Sequence, residues 1–244
     1  GSETVSDSFV YTIKDVPGLE SNQATVSLTI TPVNDDPVIT SGSSPSVLEN
    51  QTAILTVTTT DPDSGAPTFS LTGGADQGKF AINTTSGELT FSAAPNFESP
   101  TDVGADNVYE VQVTADDGNG GSAVQLISVT VTDDNDAPVI TSSDTPSVAE
   151  NQTAVLTVTA TDQDLPADAI VFSLTGGADQ AKFDINPTTG ELTFSTAPDF
   201  ENPTDVGANN VYEVQVTASD GNGGTTSSRF RSLSLTSTTR RQFP

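Results

Sequence analysis

One feature limits what this chain can become: it states the same pattern twice, at the spacing of a whole domain. Asp36-Pro-Val-Ile-Thr-Ser returns as Ala137-Pro-Val-Ile-Thr-Ser, and Ser46-Val-Leu-Glu-Asn-Gln-Thr-Ala as Ser147-Val-Ala-Glu-Asn-Gln-Thr-Ala. Ser70-Leu-Thr-Gly-Gly-Ala-Asp-Gln returns from Ser173, and Asn107-Val-Tyr-Glu-Val-Gln-Val-Thr-Ala from Asn210. The spacing is 101 residues between Glu49 and Glu150 and 103 between Phe80 and Phe183, so the second copy gains two residues ahead of Phe172. A unit of about 100 residues is a domain with its own core, not one turn of a solenoid. The repeat therefore predicts two full units, 37–137 and 138–244. Residues 1–36 read as the C-terminal strands of a preceding unit. In that tail Val26, Leu28 and Ile30 match Ile127, Val129 and Val131. Two strands are too few for a sandwich, which predicts a segment loosely held or docked on its neighbour.

Inside a unit the period is two. Ile54-Leu-Thr-Val, Glu88-Leu-Thr-Phe, Tyr109-Glu-Val-Gln-Val-Thr-Ala and Leu126-Ile-Ser-Val-Thr-Val alternate and are rich in β-branched residues. Gly, Pro, Asp and Asn clusters separate them, and no stretch keeps a 3.6-residue period. About seven short strands in ~100 residues predict an all-β fold: tandem seven-stranded Greek-key β-sandwiches, immunoglobulin-like, in an elongated array. Tyr109, Val111, Val113 and Ala115 should face the core, with Tyr212 in the same phase. In the last strand Leu233 and Leu235 carry the alternation.

Composition then removes functions. There are 33 acidic residues against 7 basic ones, a formal charge of −26, and no His, Cys or Trp. Thiol nucleophiles, Ser-His-Asp triads, zinc fingers and imidazole metal sites are excluded. So few cations argue against nucleic acid. The low hydrophobic share, 33%, leans toward disorder by itself, but the alternation argues against it. No apolar run approaches the ~18 residues of a membrane span, so this piece should not insert in a bilayer. The chain opens Gly1-Ser2 without Met. It reads as part of a longer polypeptide whose targeting signal lies elsewhere.

The acids gather where unit meets unit. The second junction reads Asp133-Asp-Asn-Asp-Ala-Pro138, and a sandwich should bring further acids to it: Glu49 and Glu98 from the first unit, Asp162, Asp164 and Asp220 from the second. Seven carboxylates in one place would repel each other strongly if bare. Calcium takes 6–8 oxygens at about 2.3–2.6 Å from just such groups. Asp76, Asp102, Asp179 and Asp205 recur in loops but belong to no ligand pattern, and read as turn formers.

These motifs resemble cadherin repeats, particularly the tandem cadherin-like repeats of large bacterial surface proteins. Glu150-Asn is similar to the xEN motif, Asp162-Gln-Asp164 to DxD, and Val216-Thr-Ala-Ser-Asp220 to VxAxD. Gly190-Glu-Leu-Thr-Phe with Pro-Asp199-Phe-Glu201 is similar to GxLxx…LDRE, with Phe in the Arg position. Asp133-Asp-Asn-Asp136-Ala-Pro is similar to DxNDNxP, with Ala137 for the final Asn. The order holds in both full units. The resemblance implies calcium at each junction, about three ions at 133–138. The ligands implied there are Glu49, Glu98, Asp133, Asn135, Asp136, Asp162, Asp164 and Asp220, with Asp168 in the place of an extra Asn. At 34–37 the set is Asn34, Asp35, Asp61, Asp63 and Asp117. It lacks the first linker Asp and the preceding unit's Glu ligands, so fewer ions are expected. Asn96 also replaces the first Asp of the DRE motif, leaving that ligand neutral.

A calcium-rigidified extender of an extracellular or cell-surface adhesin is the favoured function, with neighbouring repeats as partners. Surface glycans or other cells would be engaged by the full-length protein. Swapped-Trp adhesion is excluded by the absence of Trp. An enzyme is disfavoured, since the same acids recur in both units and a sandwich core leaves no cleft. A calcium-dependent carbohydrate-binding module is the alternative, though Tyr109, Tyr212, Phe80, Phe91 and Phe183 fall in core phase instead of forming a platform. After Asp220 no acid follows, and Arg229, Arg231, Arg240 and Arg241 end the chain. The linker acids are replaced by Ser237-Thr-Thr-Arg-Arg241, so no calcium site is expected there. The basic end reads as a terminal unit or a reading-frame scar, or as a tail that docks on an acidic neighbour.

Overall fold

The computed structural model describes residues 4–63, 65–164 and 169–235. Strand alternation appears in it as two compact units, Gly1–Asp134 and Asn135–Pro244. Asp168 and residues 236–244, with Arg240 and Arg241, lie outside the described residues.

Unit 1 opens with a hairpin, β1 (Val5–Tyr11) and β2 (Ala24–Ile30), followed by a two-layer sandwich. One layer has the order β4-β11-β10-β7: Ser46–Leu48, Ser122–Thr132, Val108–Asp116 and Thr68–Gly73. The other is built from β5 (Ala53–Thr56), β9 (Glu88–Phe91) and β8 (Phe80–Ile82), with a short β3–β6 ladder of Val38–Ile39 against Thr59–Thr60. Nine segments stand where seven strands are expected because the first two strands break. β3 pairs antiparallel with β6, whereas β4, seven residues on, pairs parallel with β11. Joining β3 with β4 and β5 with β6 recovers the seven-stranded Greek key.

Unit 2 repeats this. Its larger sheet runs β13 (Ser147–Ala149), β20 (Thr225–Leu235), β19 (Val211–Ser219), β16 (Val171–Gly176). The smaller one runs β14 (Ala154–Thr157), β18 (Glu191–Phe194), β17 (Phe183–Ile185), beside β12 (Val139–Ile140) and β15 (Ala160–Thr161).

The cores follow the predicted phase. Tyr109, Val111, Val113 and Ala115 are at most 1% exposed, and so are Tyr212, Val214, Val216 and Ala218. Phe91 stacks on Phe80 at 5.0 Å and meets Tyr109 edge-on at 5.2 Å; Phe194 does the same with Phe183 and Tyr212. Such geometry adds to area burial. Each tyrosine hydroxyl finds a partner, accepting from Thr101 N at 3.1 Å and Thr204 N at 3.3 Å.

One expectation is overturned. In β20 the core phase belongs to Phe230, Ser232 and Ser234, which are buried, while Leu233 and Leu235 are 40% and 43% exposed. The register pairs Val214 with Phe230 and Tyr212 with Ser232. Phe230 is the bulkiest apolar group of the strand, and with a period of two its choice of face decides the face of every neighbour.

Candidate metal centre

The Glu-Asn motif ends a strand with a left-handed turn. Asn50 and Asn151 both sit at φ 59°, a conformation Asn tolerates better than most residues. The turn sends Glu49 inward, where it is fully buried. Its Oε2 accepts from Phe97 N at 2.8 Å and its Oε1 from Asp134 N at 3.1 Å. Within unit 1, carboxylate oxygens of Glu98 lie within 4.8 Å of Glu49 and of Asp133. At that distance two like charges repel by about 1 kcal/mol at the dielectric of water and by about 3.5 at an effective value near 20.

The DxD motif is a local turn in both units. Asp63 N donates to Asp61 Oδ1 at 2.8 Å, and Asp164 N to Asp162 Oδ1 at 3.1 Å. The next linker residue joins it: Asp35 N donates to Asp63 Oδ2, and Asp136 N to Asp164 at 3.1 and 3.3 Å. Gln163 Nε2 adds a contact to Asp136 Oδ2 at 3.4 Å. The second oxygen of Asp162 is buried without a hydrogen-bond partner.

The acid before each Gly-Asn-Gly-Gly loop divides its oxygens. Asp220 Oδ1 accepts from Asn222, Gly223 and Gly224 N at 2.7, 3.0 and 3.0 Å, while Oδ2 accepts from Asn135 Nδ2 at 3.0 Å. Asp117 does likewise with Asn119 N, Gly121 N and Asn34 Nδ2, the last at 2.7 Å. The linker amide first, then the loop amides, hold both carboxyls below the usual range, against the opposing effect of desolvation. Both therefore stay ionised well below neutral pH. Gly224 is required here, since a Cβ would strike Asp220 Oδ2 and crowd Asp136 O at 2.9 Å.

Each unit thus organises its own set of acids and one linker Asn: Asn34, Asp35, Asp61, Asp63 and Asp117 in unit 1, and Asn135, Asp136, Asp162, Asp164 and Asp220 in unit 2. Glu49, Glu98 and Asp133 form a further set in unit 1. All donors are oxygens, which suits a hard cation. The sequence reading missed one grouping. Glu150, Asp199 and Glu201 bring carboxylate oxygens within 4.8 Å of one another in unit 2, at the end where the missing linker acids excluded a site. Asp199-Phe-Glu201 was the available signal.

The loop aspartates have a structural task instead. Asp76 is buried and accepts from Val103 N at 2.7 Å and Glu110 N at 2.9 Å; Asp179 accepts from Val206 N and Glu213 N at the same distances. Asp102 and Asp205, also buried, cap Asn107 N and Asn210 N. Among the described residues the exposed large aromatics are Phe9 and Tyr11, both in the hairpin.

Comparison with known proteins agrees with the architecture. Residues 144–236 match the Cadherin domain family and residues 34–130 the Bacterial Ig domain family. The chain is 33% identical over 212 residues to Cadherin EGF LAG seven-pass G-type receptor 1 of Mus musculus, covering 82% of this chain and 7% of that protein. It is 32% identical over 217 residues to Protocadherin Fat 1 of Homo sapiens, covering 83% and 4%. It therefore spans only a small fraction of these relatives. The fold is similar to human CDH23 EC21-23 (TM-score 0.54, 21% identity, 93% of this chain and 74% of that one). It is also similar to human Protocadherin-24 EC1-2 (TM-score 0.52, 17% identity, 84% and 100%).

Proposed function

We propose that these cadherin-like repeats bind calcium and serve as a calcium-stiffened spacer in a longer extracellular or cell-surface adhesion protein. The observation that carries the reading is the duplication of one device. A linker Asn donates to the loop Asp, and the following linker Asp donates its N–H to the DxD turn, as Asn34, Asp35, Asp63 and Asp117 and again as Asn135, Asp136, Asp164 and Asp220. A feature kept at each entry to a repeat suits a repeated mechanical task better than a reaction.

The ligands would be Glu49, Glu98, Asp133, Asn135, Asp136, Asp162, Asp164 and Asp220, with the smaller set Asn34, Asp35, Asp61, Asp63 and Asp117 taking fewer ions. Bound calcium would neutralise the mutual repulsion of these carboxylates. The chain's contribution is prior arrangement. Backbone amides fix one oxygen of Asp220 and of Asp162, so little ordering remains for the cation to impose. Residues 133–136 join the two units, so loss of the cation would free the linker. A bacterial surface protein fits the match of residues 34–130 to a bacterial domain family. Among the described residues neither sandwich offers the exposed aromatic platform that the sugar-binding reading needs.

Calorimetric titration with calcium, and radius of gyration by small-angle scattering in calcium and in chelator, test the proposal. Expected are saturable binding and a smaller spread of conformations with calcium. Identical scattering and unfolding in both conditions would refute it.

A further inference from the structure

The β1–β2 hairpin carries a surface that the rest of its unit leaves bare. Its register pairs Val5 with Ile30, Phe9 with Val26 and Tyr11 with Ala24. With a period of two, Val5, Phe9, Tyr11, Val26, Leu28 and Ile30 share one face with Asp7, while Ser6, Ser8, Thr25, Ser27 and Thr29 share the other with a single large apolar residue, Val10. The six apolar residues are 40–62% exposed. Among the described residues no further strand pairs with either outer edge of this two-stranded sheet.

The same chain shows what covers such a face. Val26, Leu28 and Ile30 correspond to Ile127, Val129 and Val131, which are 0–1% exposed. The latter pack in one core with Val57, Phe69, Phe80, Leu89 and Phe91 from the earlier strands of their unit. The edges have counterparts as well. β11 takes β4 in parallel and β10 takes β7 antiparallel.

We propose that the hairpin is an acceptor surface for one kind of partner: a polypeptide segment with the pattern of β3 to β9, the first strands of a cadherin-like repeat. That segment would close the apolar face with its smaller sheet and pair both free edges. A second copy of the chain is a worse occupant. Facing hairpins would oppose their Asp7 carboxylates, between molecules of charge −26, and six side chains fall far short of the roughly 20–30 residues a side of a standard interface.

The test fuses a copy of residues 37–107 in front of residue 4 of the full chain and follows amide exchange. Expected is at least about 100-fold slower exchange at 5–11 and 24–30, with one more cooperative unfolding step. Leu28→Asp in the fusion should abolish the gain and Ser27→Asp, on the other face, should keep it. Unchanged exchange in the fusion overturns the proposal. So does protection in the unfused chain that grows with protein concentration, which would give the face to a second copy.

Discussion

The last strand of unit 2 turns two hydroxyls into its core. Where unit 1 buries Val129 and Val131, unit 2 buries Ser232 and Ser234 at 1% and 0% exposure, and neither hydroxyl has a hydrogen-bond partner. An unsatisfied buried hydroxyl costs about 1–3 kcal/mol, and burying a valine side chain contributes about 1.5 at the low end. Ser232→Val with Ser234→Val should therefore gain about 5 kcal/mol before packing is considered. Phe230 occupies the position of the smaller Ile127, so crowding should take back about 1.5 kcal/mol at each of the two sites, toward the low end of the usual overpacking cost. A net gain of about 2 kcal/mol remains, which at about 4 °C per kcal/mol moves the transition of this unit up by roughly 8 °C. Scanning calorimetry of the full chain in chelator reads it, since unit 2 should melt before unit 1 and the variant should narrow the gap. A fall or no change in the lower transition would refute the register. Leu233→Ser supplies the cross-check. With Leu233 40% exposed it should cost no more than about 1 kcal/mol, whereas a core leucine loses about 2–5 on truncation. The larger loss would mean a strand displaced by one residue with its leucines inward.

Three further outcomes follow from the acid geometry. Glu98→Gln removes one charge from the group it forms with Glu49 and Asp133. Unit 1 should melt higher in chelator by about 1–2 kcal/mol of relieved repulsion and gain less from calcium; equal melting in both conditions would contradict the metal assignment. Gly224→Ala displaces the Asp220 carboxylate, so calorimetric titration should show calcium affinity reduced by at least about tenfold, roughly 1.4 kcal/mol, with an unchanged β-sheet circular dichroism spectrum. Desolvation raises the Asp102 carboxyl, but the amides of Asp106 and Asn107 outweigh it and leave it below the usual range. A depressed folded-state value contributes stability that is present above the unfolded value near 3.9 and lost as pH falls through the folded one. Melting in acid should show that loss below about pH 4, and Asp102→Asn should reduce the slope there.

The alternation of Tyr109, Val111, Val113 and Ala115 was legible because each odd position is apolar and each even one polar. The pairing of Asn34 with Asp117 and of Asn135 with Asp220 was legible only as motif order, since 83 or 85 residues separate the partners. The phase of β20 was not legible. Arg229, Phe230, Arg231 and Leu233 offer apolar groups on both faces, and a single large ring outweighs two leucines. Nor was the break between β5 and β6, where Val57-Thr58 continues the composition of the strand; the break between β3 and β4 does carry a signal, the turn-forming Thr40-Ser-Gly-Ser-Ser-Pro45, but that stretch does not say that the strand changes sheets. Asp76 and Asp102 look in sequence like Asp162: an acid in a loop. What separates them is the count of backbone donors.

That difference separates Asp76 from Asp162. Asp76 accepts a backbone N–H on each oxygen, from Val103 and Glu110, so it ties two segments of its own unit and needs no cation. Asp162 accepts one, from Asp164 N, and its other oxygen is buried without a partner. Glu49 accepts one amide on each oxygen just as Asp76 does, and what sets it apart is a second carboxylate, Glu98, within 4.8 Å. The division predicts opposite calcium dependence for two chemically identical changes. Asp76→Asn puts an NH2 group against a backbone donor and should cost unit 1 about 2 kcal/mol, the same with calcium as with chelator. Asp162→Asn can keep its carbonyl on Asp164 N, so unit 2 should melt unchanged or slightly higher in chelator while losing most of its response to calcium. Melting each variant in both conditions gives four shifts. If Asp162→Asn lowers stability equally in both, its carboxylate is a turn former like Asp76 and the buried oxygen is no ligand.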